Sequence, residues 1–289
     1  MTDKESVVAV LGAGTMGQGI AVTLARGGCN VRLVDRDSSQ LARAADMVRD
    51  FFAESVRRGK MTEADSTSAL RRIEHVANLA DIAGAEFVVE ALPENLALKT
   101  EVLARVEEIC AADTRIHTNT STLLIGSIAD GLARPENLVG THYCNPAPLM
   151  PLVEVARGPK TSDDTVASAA ALLESVGKTP VILRDSPGLI TNFLVVAFEN
   201  DSIRALESGL ATVEEIDRAV TAGMGFPIGP FRLLDLVGLD VHLAVTSSLR
   251  RQLGDDRYRA PDTVVRMINE GRLGRKTGRG FYTYSKEQA

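Results

Sequence analysis

Two ionisable side chains lie within predicted strands and could together move a proton. His142 ends the apolar run 138–142, and Glu154 lies inside the apolar run 152–156. A buried carboxylate is costly without a partner, and a histidine would satisfy it. Such a carboxylate fixes the imidazole tautomer and makes the other ring nitrogen a better base. The pair predicts a general base at His142, although a lone histidine is more often structural, as we expect for His75, His117 and His242.

A glycine-rich motif near the amino terminus predicts a dinucleotide site. It follows the apolar run 7–11 at once and opens an amphipathic segment. The first glycine permits a tight turn, the second lets the backbone approach a pyrophosphate, and the third lets the helix pack closely on the strand. The predicted cofactor-binding residues of the motif are Gly12, Gly14, Thr15, Met16 and Gly17.

An acidic residue in the right place specifies the cofactor. The second apolar run, 30–34, ends in Asp35, whose carboxylate can accept hydrogen bonds from both hydroxyls of an adenosine ribose. This favours NAD over NADP. A glycine-rich turn that merely packs, and an FAD site, remain the alternatives.

Composition excludes several classes of function. With 289 residues and a net charge of −6, the chain lacks the basic surface that nonspecific nucleic-acid or anionic-membrane binding requires. No apolar run is long enough to span a bilayer, and no signal sequence precedes the first strand. The three cysteines are widely spaced, which suggests neither disulfides nor a metal site. We expect a cytoplasmic protein.

The order of the predicted elements indicates two domains. Strand-like runs alternate with amphipathic helices up to about residue 186, which predicts an α/β domain with a doubly wound, mostly parallel Rossmann sheet over residues 1–186. A smaller all-α domain is predicted over residues 187–289. The predicted strands are 6–11, 30–34, 86–91, 115–119, 138–142, 152–156 and 179–184, and the helices of the second domain are 189–207, 212–222, 232–253 and 262–270.

Three further segments have two interpretations each. Ser121 follows the strand 115–119 and should lie at the ligand edge of the sheet, although it could also cap a helix. Asn192 is polar in the first turns of an apolar helix, where an ordinary cap residue is the alternative. The cationic, glycine-rich segment 271–282 could be a solvated tail.

Taken together, the chain resembles the L-3-hydroxyacyl-CoA dehydrogenase family over nearly its whole length, and within it the bacterial 3-hydroxybutyryl-CoA enzymes. The resemblance rests on the glycine motif and on Arg58-Gly59-Lys60-Met61-Thr62, Val88-Val89-Glu90-Ala91, Glu94-Asn95, Asn119-Thr120-Ser121, the segment 142–146, Val153-Glu154-Val155 and Gly274-Arg275-Lys276-Thr277-Gly278.

The resemblance implies a reaction, a site and a partner. The reaction is reversible, NAD-dependent oxidation of a short-chain L-3-hydroxyacyl-CoA to the 3-ketoacyl-CoA, as in fatty acid metabolism. His142 and Glu154 would form the catalytic pair, with Ser121 and Asn192 holding the C3 oxygen of the substrate. The helical domain would form a homodimer. Implied NAD contacts are Asp35, Glu94, Lys99, Ser121, Asn145 and Lys276, and Arg58 would contact CoA.

The chain departs from the family pattern at three places. The family usually has two Phe where this chain has Tyr143 and Cys144, an Arg at Phe193, and a basic residue at Glu54. These positions bear on the acyl pocket, the domain packing and the CoA contact. The residue at Glu54 leaves room for the same chemistry on a carrier-protein-bound or non-CoA 3-hydroxy acid. A non-catalytic NAD-binding protein on this scaffold is a separate alternative.

Overall fold

A computed structural model describes residues 6–285. The chain divides into two compact units, with the boundary between Ser186 and Pro187. The first unit combines strands with helices, and the second is formed by helices and short loops.

The first unit is built on one eight-stranded sheet in the order β3-β2-β1-β4-β5-β6-β7-β8. All neighbouring strands pair in parallel except β6 and β7, which are antiparallel. The prediction of a doubly wound, mostly parallel sheet is therefore confirmed. The strands are β1 (Val7–Leu11), β2 (Asn30–Val34), β3 (Ile73–Val76), β4 (Phe87–Glu90), β5 (Arg115–Thr118), β6 (Leu138–Tyr143), β7 (Leu152–Arg157) and β8 (Thr179–Arg184).

Strand β3 is absent from the predicted strands. It is a four-residue edge strand, and Glu74 and His75 separate its two buried apolar ends. An edge strand partly faces solvent, so it does not show the continuous apolar run that marks the central strands β1 and β4.

Helices of the first unit bury their apolar faces against the sheet. The side chains of Ile20 and Leu24 on one helix and of Leu173 on another are fully buried in the same apolar cluster. The helices are α1 (Thr15–Arg26), α2 (Ser38–Arg57), α3 (Glu63–Arg71), α4 (Leu96–Ile109), α5 (Ile125–Ala129) and α6 (Asp163–Ser175). They cover the strands and leave the polar residues at the strand ends free to form a site.

The second unit contains five α-helices within the described residues: α7 (Thr191–Glu207), α8 (Val213–Met224), α9 (Pro230–Val237), α10 (Leu239–Leu253) and α11 (Asp262–Asn269). Thr212 and Glu215 form a capping box at the start of α8. The prediction of one continuous helix over 232–253 is wrong, because Gly238 adopts a φ of +102° and separates α9 from α10.

A second histidine–carboxylate pair lies inside this helical unit. His242 is 3% exposed, and its Nδ1 is 3.0 Å from Oε2 of Glu199, while its Nε2 is 2.9 Å from Oδ1 of Asn200. The amide of Asn200 is oriented by its own contacts, since its Nδ2 donates to Thr246 Oγ1. Both ring nitrogens of His242 are therefore engaged by oxygen atoms of neighbouring side chains.

The segment after α11 is docked rather than solvated. The Asp235 carboxylate on α9 is buried and accepts hydrogen bonds from the backbone N–H groups of Phe281 and Tyr282, both at 2.9 Å. It also accepts from the Tyr284 hydroxyl at 2.9 Å. The solvated-tail interpretation of 271–282, which the family resemblance already sets aside for Lys276, is therefore wrong. None of the helices described is long and apolar enough to cross a membrane.

Candidate active site

The antiparallel pairing of β6 and β7 brings His142 and Glu154 together. The two residues are directly opposite in the register, and His142 Nδ1 lies 2.8 Å from Glu154 Oε2. Glu154 is 1% exposed and His142 is 9% exposed. A carboxylate so deeply buried keeps its charge by accepting the Nδ1–H, which leaves Nε2 as the acceptor nitrogen of the ring.

Ser121 occupies the free side of that ring. It follows β5, and its Oγ lies 3.1 Å from His142 Nε2. With the hydrogen of the ring on Nδ1, the Ser121 hydroxyl donates to Nε2. Glu154, His142 and Ser121 thus form one continuous line of hydrogen bonds at the carboxyl ends of β5 and β6, where ligands of such sheets bind.

The glycine motif forms a tight turn between β1 and α1. Gly12 has a φ of +96°, and a Cβ on Gly17 would lie 1.7 Å from the Gly12 carbonyl oxygen, so only glycine fits at Gly17. A Cβ on Gly14 would meet no described protein atom within 4 Å. The space above Gly14 is open at the amino end of α1, where no side chain within the described residues caps the helix. This is the arrangement that receives a phosphate.

Side chains hold the turn in place. Asp35 Oδ2 accepts from the backbone N–H of Ala13 at 2.9 Å, which places the carboxylate beside the turn. The Ala13 carbonyl accepts from the side-chain amides of Gln18 and Gln40, both at 2.7 Å. The sequence analysis did not single out these two glutamines, because a polar residue on a helix carries no signal of the loop it contacts.

Asn145 lies in an exposed loop after β6 and lines a cleft of about 150 Å³ together with Thr15 and Gln18 of α1. Met47 and Phe51 of α2 form an apolar wall of the same cleft. Thr15 and Asn145, both expected to contact the cofactor, therefore share one opening.

Comparison with known proteins identifies the family. The family model described as 3-hydroxyacyl-CoA dehydrogenase, NAD binding domain matches residues 7–186, and the model of the C-terminal domain of the same family matches residues 188–284. The chain belongs to the 3-hydroxyacyl-CoA dehydrogenase family.

Relatives match this dehydrogenase over nearly its whole length. A probable 3-hydroxybutyryl-CoA dehydrogenase of Bacillus subtilis is 38% identical over 280 residues, which are 97% of this chain and 98% of the relative. The 3-hydroxyadipyl-CoA dehydrogenase of Escherichia coli is 39% identical over 97% of this chain and 59% of its own length. The crystal structure of (S)-3-hydroxybutyryl-CoA dehydrogenase from Ralstonia eutropha matches with a TM-score of 0.93 and 38% identity, and covers 98% of this chain and all of that one.

Several residues that the family resemblance implicates are engaged in ion pairs. Arg58 caps the end of α2 and pairs with Glu54, which also pairs with Arg57 at 2.5 Å. These two arginines hold the pKa of the Glu54 carboxyl below its usual value. In the helical unit, Lys276 Nζ lies 2.5 Å from Asp240 Oδ1.

Asn192 lies in the first turn of α7, in the helical unit of the dehydrogenase. It stands one residue before Phe193, whose ring lies beneath the Arg257 guanidinium at 4.9 Å. Asn192 thus belongs to the second unit, whereas His142, Glu154 and Ser121 belong to the first.

Tyr143 and Cys144, which depart from the usual family pattern after His142, lie in different environments. Tyr143 is 1% exposed and packs in the main apolar cluster of the first unit, where burial raises the pKa of its hydroxyl. Cys144 is half-buried, and burial together with the nearby Glu154 carboxylate raises the pKa of its thiol. The substitution at Tyr143 therefore alters the core of the dehydrogenase, and only the neighbouring position borders the site.

Proposed function

We propose that this dehydrogenase oxidises a short-chain L-3-hydroxyacyl-CoA to the 3-ketoacyl-CoA, reversibly and with NAD. The observation that carries the proposal is the line of hydrogen bonds from Glu154 through His142 to Ser121. It leaves one imidazole nitrogen against a hydroxyl that a substrate hydroxyl can replace, which is the geometry that proton abstraction requires.

The residues around the glycine turn suit NAD. The open space above Gly14 admits a pyrophosphate, and a Cβ at that position would fill it. Asp35 offers a carboxylate beside the turn for the ribose hydroxyls, which disfavours a 2′-phosphate through like-charge repulsion. When bound, NAD⁺ accepts the hydride that leaves C3 of the substrate.

Side chains of the protein transfer the proton and stabilise the charges that form during the reaction. His142 Nε2 takes the proton of the C3 hydroxyl and becomes an imidazolium. Glu154 stabilises that cation through the bond to Nδ1, at 2.8 Å. Ser121 donates to the C3 oxygen, and the family resemblance implies Asn192 as a second donor. These donors act on an oxygen whose charge changes during the reaction, which is where fixed dipoles contribute most.

A thioester on a carrier protein is the second candidate substrate. Arg58 would contact CoA, yet Glu54 already neutralises it, which weakens its attraction for a phosphate. Comparing acetoacetyl-CoA with the acetoacetyl thioesters of pantetheine and of an acyl carrier protein decides between the two. A kcat/KM at least tenfold higher for the carrier-protein thioester than for acetoacetyl-CoA would favour this second candidate.

The main test is NADH-dependent reduction of acetoacetyl-CoA, followed at the absorbance of NADH. We expect turnover by the wild type and its near-complete loss in His142→Gln, which should still bind NADH with unchanged affinity. Binding of NADH by the wild type without turnover of any acyl thioester would favour a non-catalytic NAD-binding protein instead.

We also propose that the protein acts in the cytoplasm as a homodimer formed by the helical unit. Leu236, Val237 and Val241 near the α9–α10 junction are 52%, 47% and 43% exposed, and an apolar surface of this kind is commonly buried in an interface. Sedimentation of Val241→Asp as a monomer, with the wild type as a dimer, would support this assembly.

A further inference from the structure

The loop 144–151, which joins the proposed catalytic strand β6 to β7, has few backbone donors of its own. Three of its eight residues are prolines, which carry no N–H group. The hydrogen bonds within the loop run from the backbone N–H groups of Leu149 and Met150 to the Pro146 carbonyl oxygen, at 3.0 and 3.1 Å. The other carbonyl groups of the loop therefore need donors from elsewhere wherever they are buried.

Lys178, which directly precedes β8, supplies two of these donors. It is 6% exposed, and its Nζ donates to the carbonyl oxygens of Ala147 at 2.5 Å and Met150 at 2.8 Å. Within residues 6–285, no carboxylate forms an ion pair with Lys178. Burial and the neighbouring Arg26 cation lower the pKa of its ammonium group. The charge of Lys178 is therefore stabilised by carbonyl groups of the loop rather than by a counter-ion.

Arg26 and Gly19 hold the same loop against α1. Arg26 ends α1, and its Nη2 donates to the Pro148 carbonyl oxygen at 3.0 Å. A Cβ on Gly19 would lie 3.1 Å from Pro148 Cδ and 3.2 Å from Ala147 Cβ, so the helix backbone packs directly on the loop. Because α1 begins at the glycine turn, the loop connects the proposed cofactor site with the strand that carries His142.

Asn145 lies at the exposed start of this loop, between two fixed parts of the chain. On one side, Tyr143 still pairs with Val153 in the β6–β7 ladder. On the other side, the carbonyl groups that Lys178 and Arg26 bind begin two residues after Asn145. The place of Asn145 in the cleft that it shares with α1 therefore depends on both fixed parts.

We infer that Lys178 and Arg26 are positioning residues for Asn145 and that, by ordering the loop 144–151, they strengthen the binding of NAD. This role rests on the proposed function in one respect, since it takes Asn145 as a cofactor contact. The ordering of the loop by the two cations does not depend on that contact, so the two parts can be tested separately.

The decisive variant is Lys178→Met, which keeps most of the side-chain length and removes the donors. We expect the Kd for NADH, measured by fluorescence titration, to rise about fivefold, because the loss of one well-placed hydrogen bond has an effect of this order. The kcat for acetoacetyl-CoA reduction at saturating NADH should stay within threefold, since His142 and Ser121 keep their own contacts. A Kd within twofold of the wild-type value would overturn the inference.

A double mutant and a matched control separate positioning from general damage. In an Asn145→Ala background the positioned side chain is absent, so Lys178→Met should raise the Kd for NADH less than twofold further. Lys160→Met removes a lysine from the surface of the same unit, where it pairs with Asp130 at 2.9 Å, and should leave the Kd unchanged. A fivefold rise in the Asn145→Ala background, or in the control, would overturn the inference.

A gentler variant covers the case in which Lys178→Met does not fold. Arg26 is exposed at the end of α1, so Arg26→Met removes the donor to Pro148 without opening the core. We expect a Kd for NADH about threefold weaker, an effect that disappears in the Asn145→Ala background. Arg26→Lys can still donate and should stay within twofold of the wild type. The same rise in both backgrounds would contradict a role in positioning Asn145.

Amide hydrogen exchange tests the ordering of the loop independently of activity. In the protein without ligands, Lys178→Met or Arg26→Met should speed exchange in a peptide covering residues 144–151 at least fivefold, while a control peptide covering 120–124 stays within twofold. If the wild type reduces no acyl thioester, the proposed function fails, and exchange still decides whether the two cations order the loop. Unchanged exchange at 144–151 would overturn the inference.

Discussion

The two units of this protein each contain a buried histidine joined to a glutamate, and the two pairs differ in the group that faces the second ring nitrogen. In the α/β unit, Glu154 binds Nδ1 of His142 at 2.8 Å, and the opposite nitrogen faces a serine hydroxyl. In the helical unit, Glu199 binds Nδ1 of His242 at 3.0 Å, and an asparagine oxygen lies 2.9 Å from the opposite nitrogen.

The difference lies in the partner of the second nitrogen. The Ser121 hydroxyl donates to His142 and leaves Nε2 as an acceptor, so a substrate hydroxyl can take its place. Asn200 accepts from His242, and both atoms are buried, so that ring has no lone pair to offer. A buried histidine–carboxylate pair is therefore a candidate for catalysis only when one ring nitrogen is an accessible acceptor, and otherwise it joins two elements of the core.

The largest expected effect separates the two histidines by activity. His142→Gln should lower kcat about 10³-fold, because general-base catalysis by a placed side chain contributes on the order of 10²- to 10⁴-fold. His242→Gln should leave kcat per folded molecule within threefold. Steady-state kinetics with acetoacetyl-CoA and NADH measure both, and equal losses would remove the distinction between the pairs.

The second prediction reverses the contrast and concerns stability. Because removal of His242 leaves the Glu199 carboxyl group buried without its hydrogen-bond partner, His242→Gln should lower the free energy of unfolding by about 3 kcal/mol. His142→Gln should cost less, since His142 borders the surface of the site. Urea titrations monitored by circular dichroism give the free energy of unfolding of both variants. A larger decrease in His142→Gln than in His242→Gln would contradict the prediction.

The third prediction concerns the carboxylates. Glu154→Gln keeps an oxygen that accepts from Nδ1 but removes the charge that stabilises the imidazolium, so kcat should fall about 10²-fold. Glu199→Gln is the matched control and should change kcat less than threefold. If the two variants lose activity equally, the charge of Glu154 has no special role.

The smallest effect concerns a third histidine, which is fully buried in the sheet. His117 on β5 is fully buried, its ring nitrogens lack hydrogen-bond partners among the described residues, and burial lowers its pKa from 6.5 to about 3. Between these values the unfolded chain binds a proton that the folded chain does not, so stability rises with pH over this range.

Replacing His117 should therefore reduce the loss of free energy of unfolding as the pH falls. From pH 7 to pH 5 the wild type should lose about 2 kcal/mol more than His117→Leu, since each pH unit within the window contributes about 1.4 kcal/mol. Urea midpoints at the two pH values measure the difference. Parallel losses would show that His117 already carries its proton in the folded state.

Most of the sheet could be predicted because its central strands are buried on both faces and read as apolar runs. The edge strand Ile73–Val76 could not, since exposure breaks that pattern. The break at Gly238 was also missed, because a glycine within an amphipathic segment looks the same whether the helix continues or turns.

In the proposed site, too, only the contacts that follow from local sequence patterns could be predicted. His142 and Glu154 could be paired from sequence because each is a polar residue within an apolar strand. His242 and Glu199 lie on different helices, and helix packing alone brings them together. The available signal was the run of polar residues 199–202, which directly follows the apolar run 193–198 of α7. The burial of Lys99 could not be predicted, because its helix position does not reveal the carboxylates of Glu90, at the end of β4, and of Glu94, in the loop that follows.

The glycine turn carries two kinds of constraint within six residues. At Gly17 a methyl group would collide with the backbone of the protein itself, whereas at Gly14 it would enter empty space from a backbone that alanine adopts readily, with φ −71° and ψ −175°. Selecting variants for abundance alone would therefore accept alanine at Gly14 and reject it at Gly17. Selecting for activity would reject alanine at both positions. A position where alanine preserves abundance but abolishes activity would therefore mark a contact with the cofactor, even without a bound ligand.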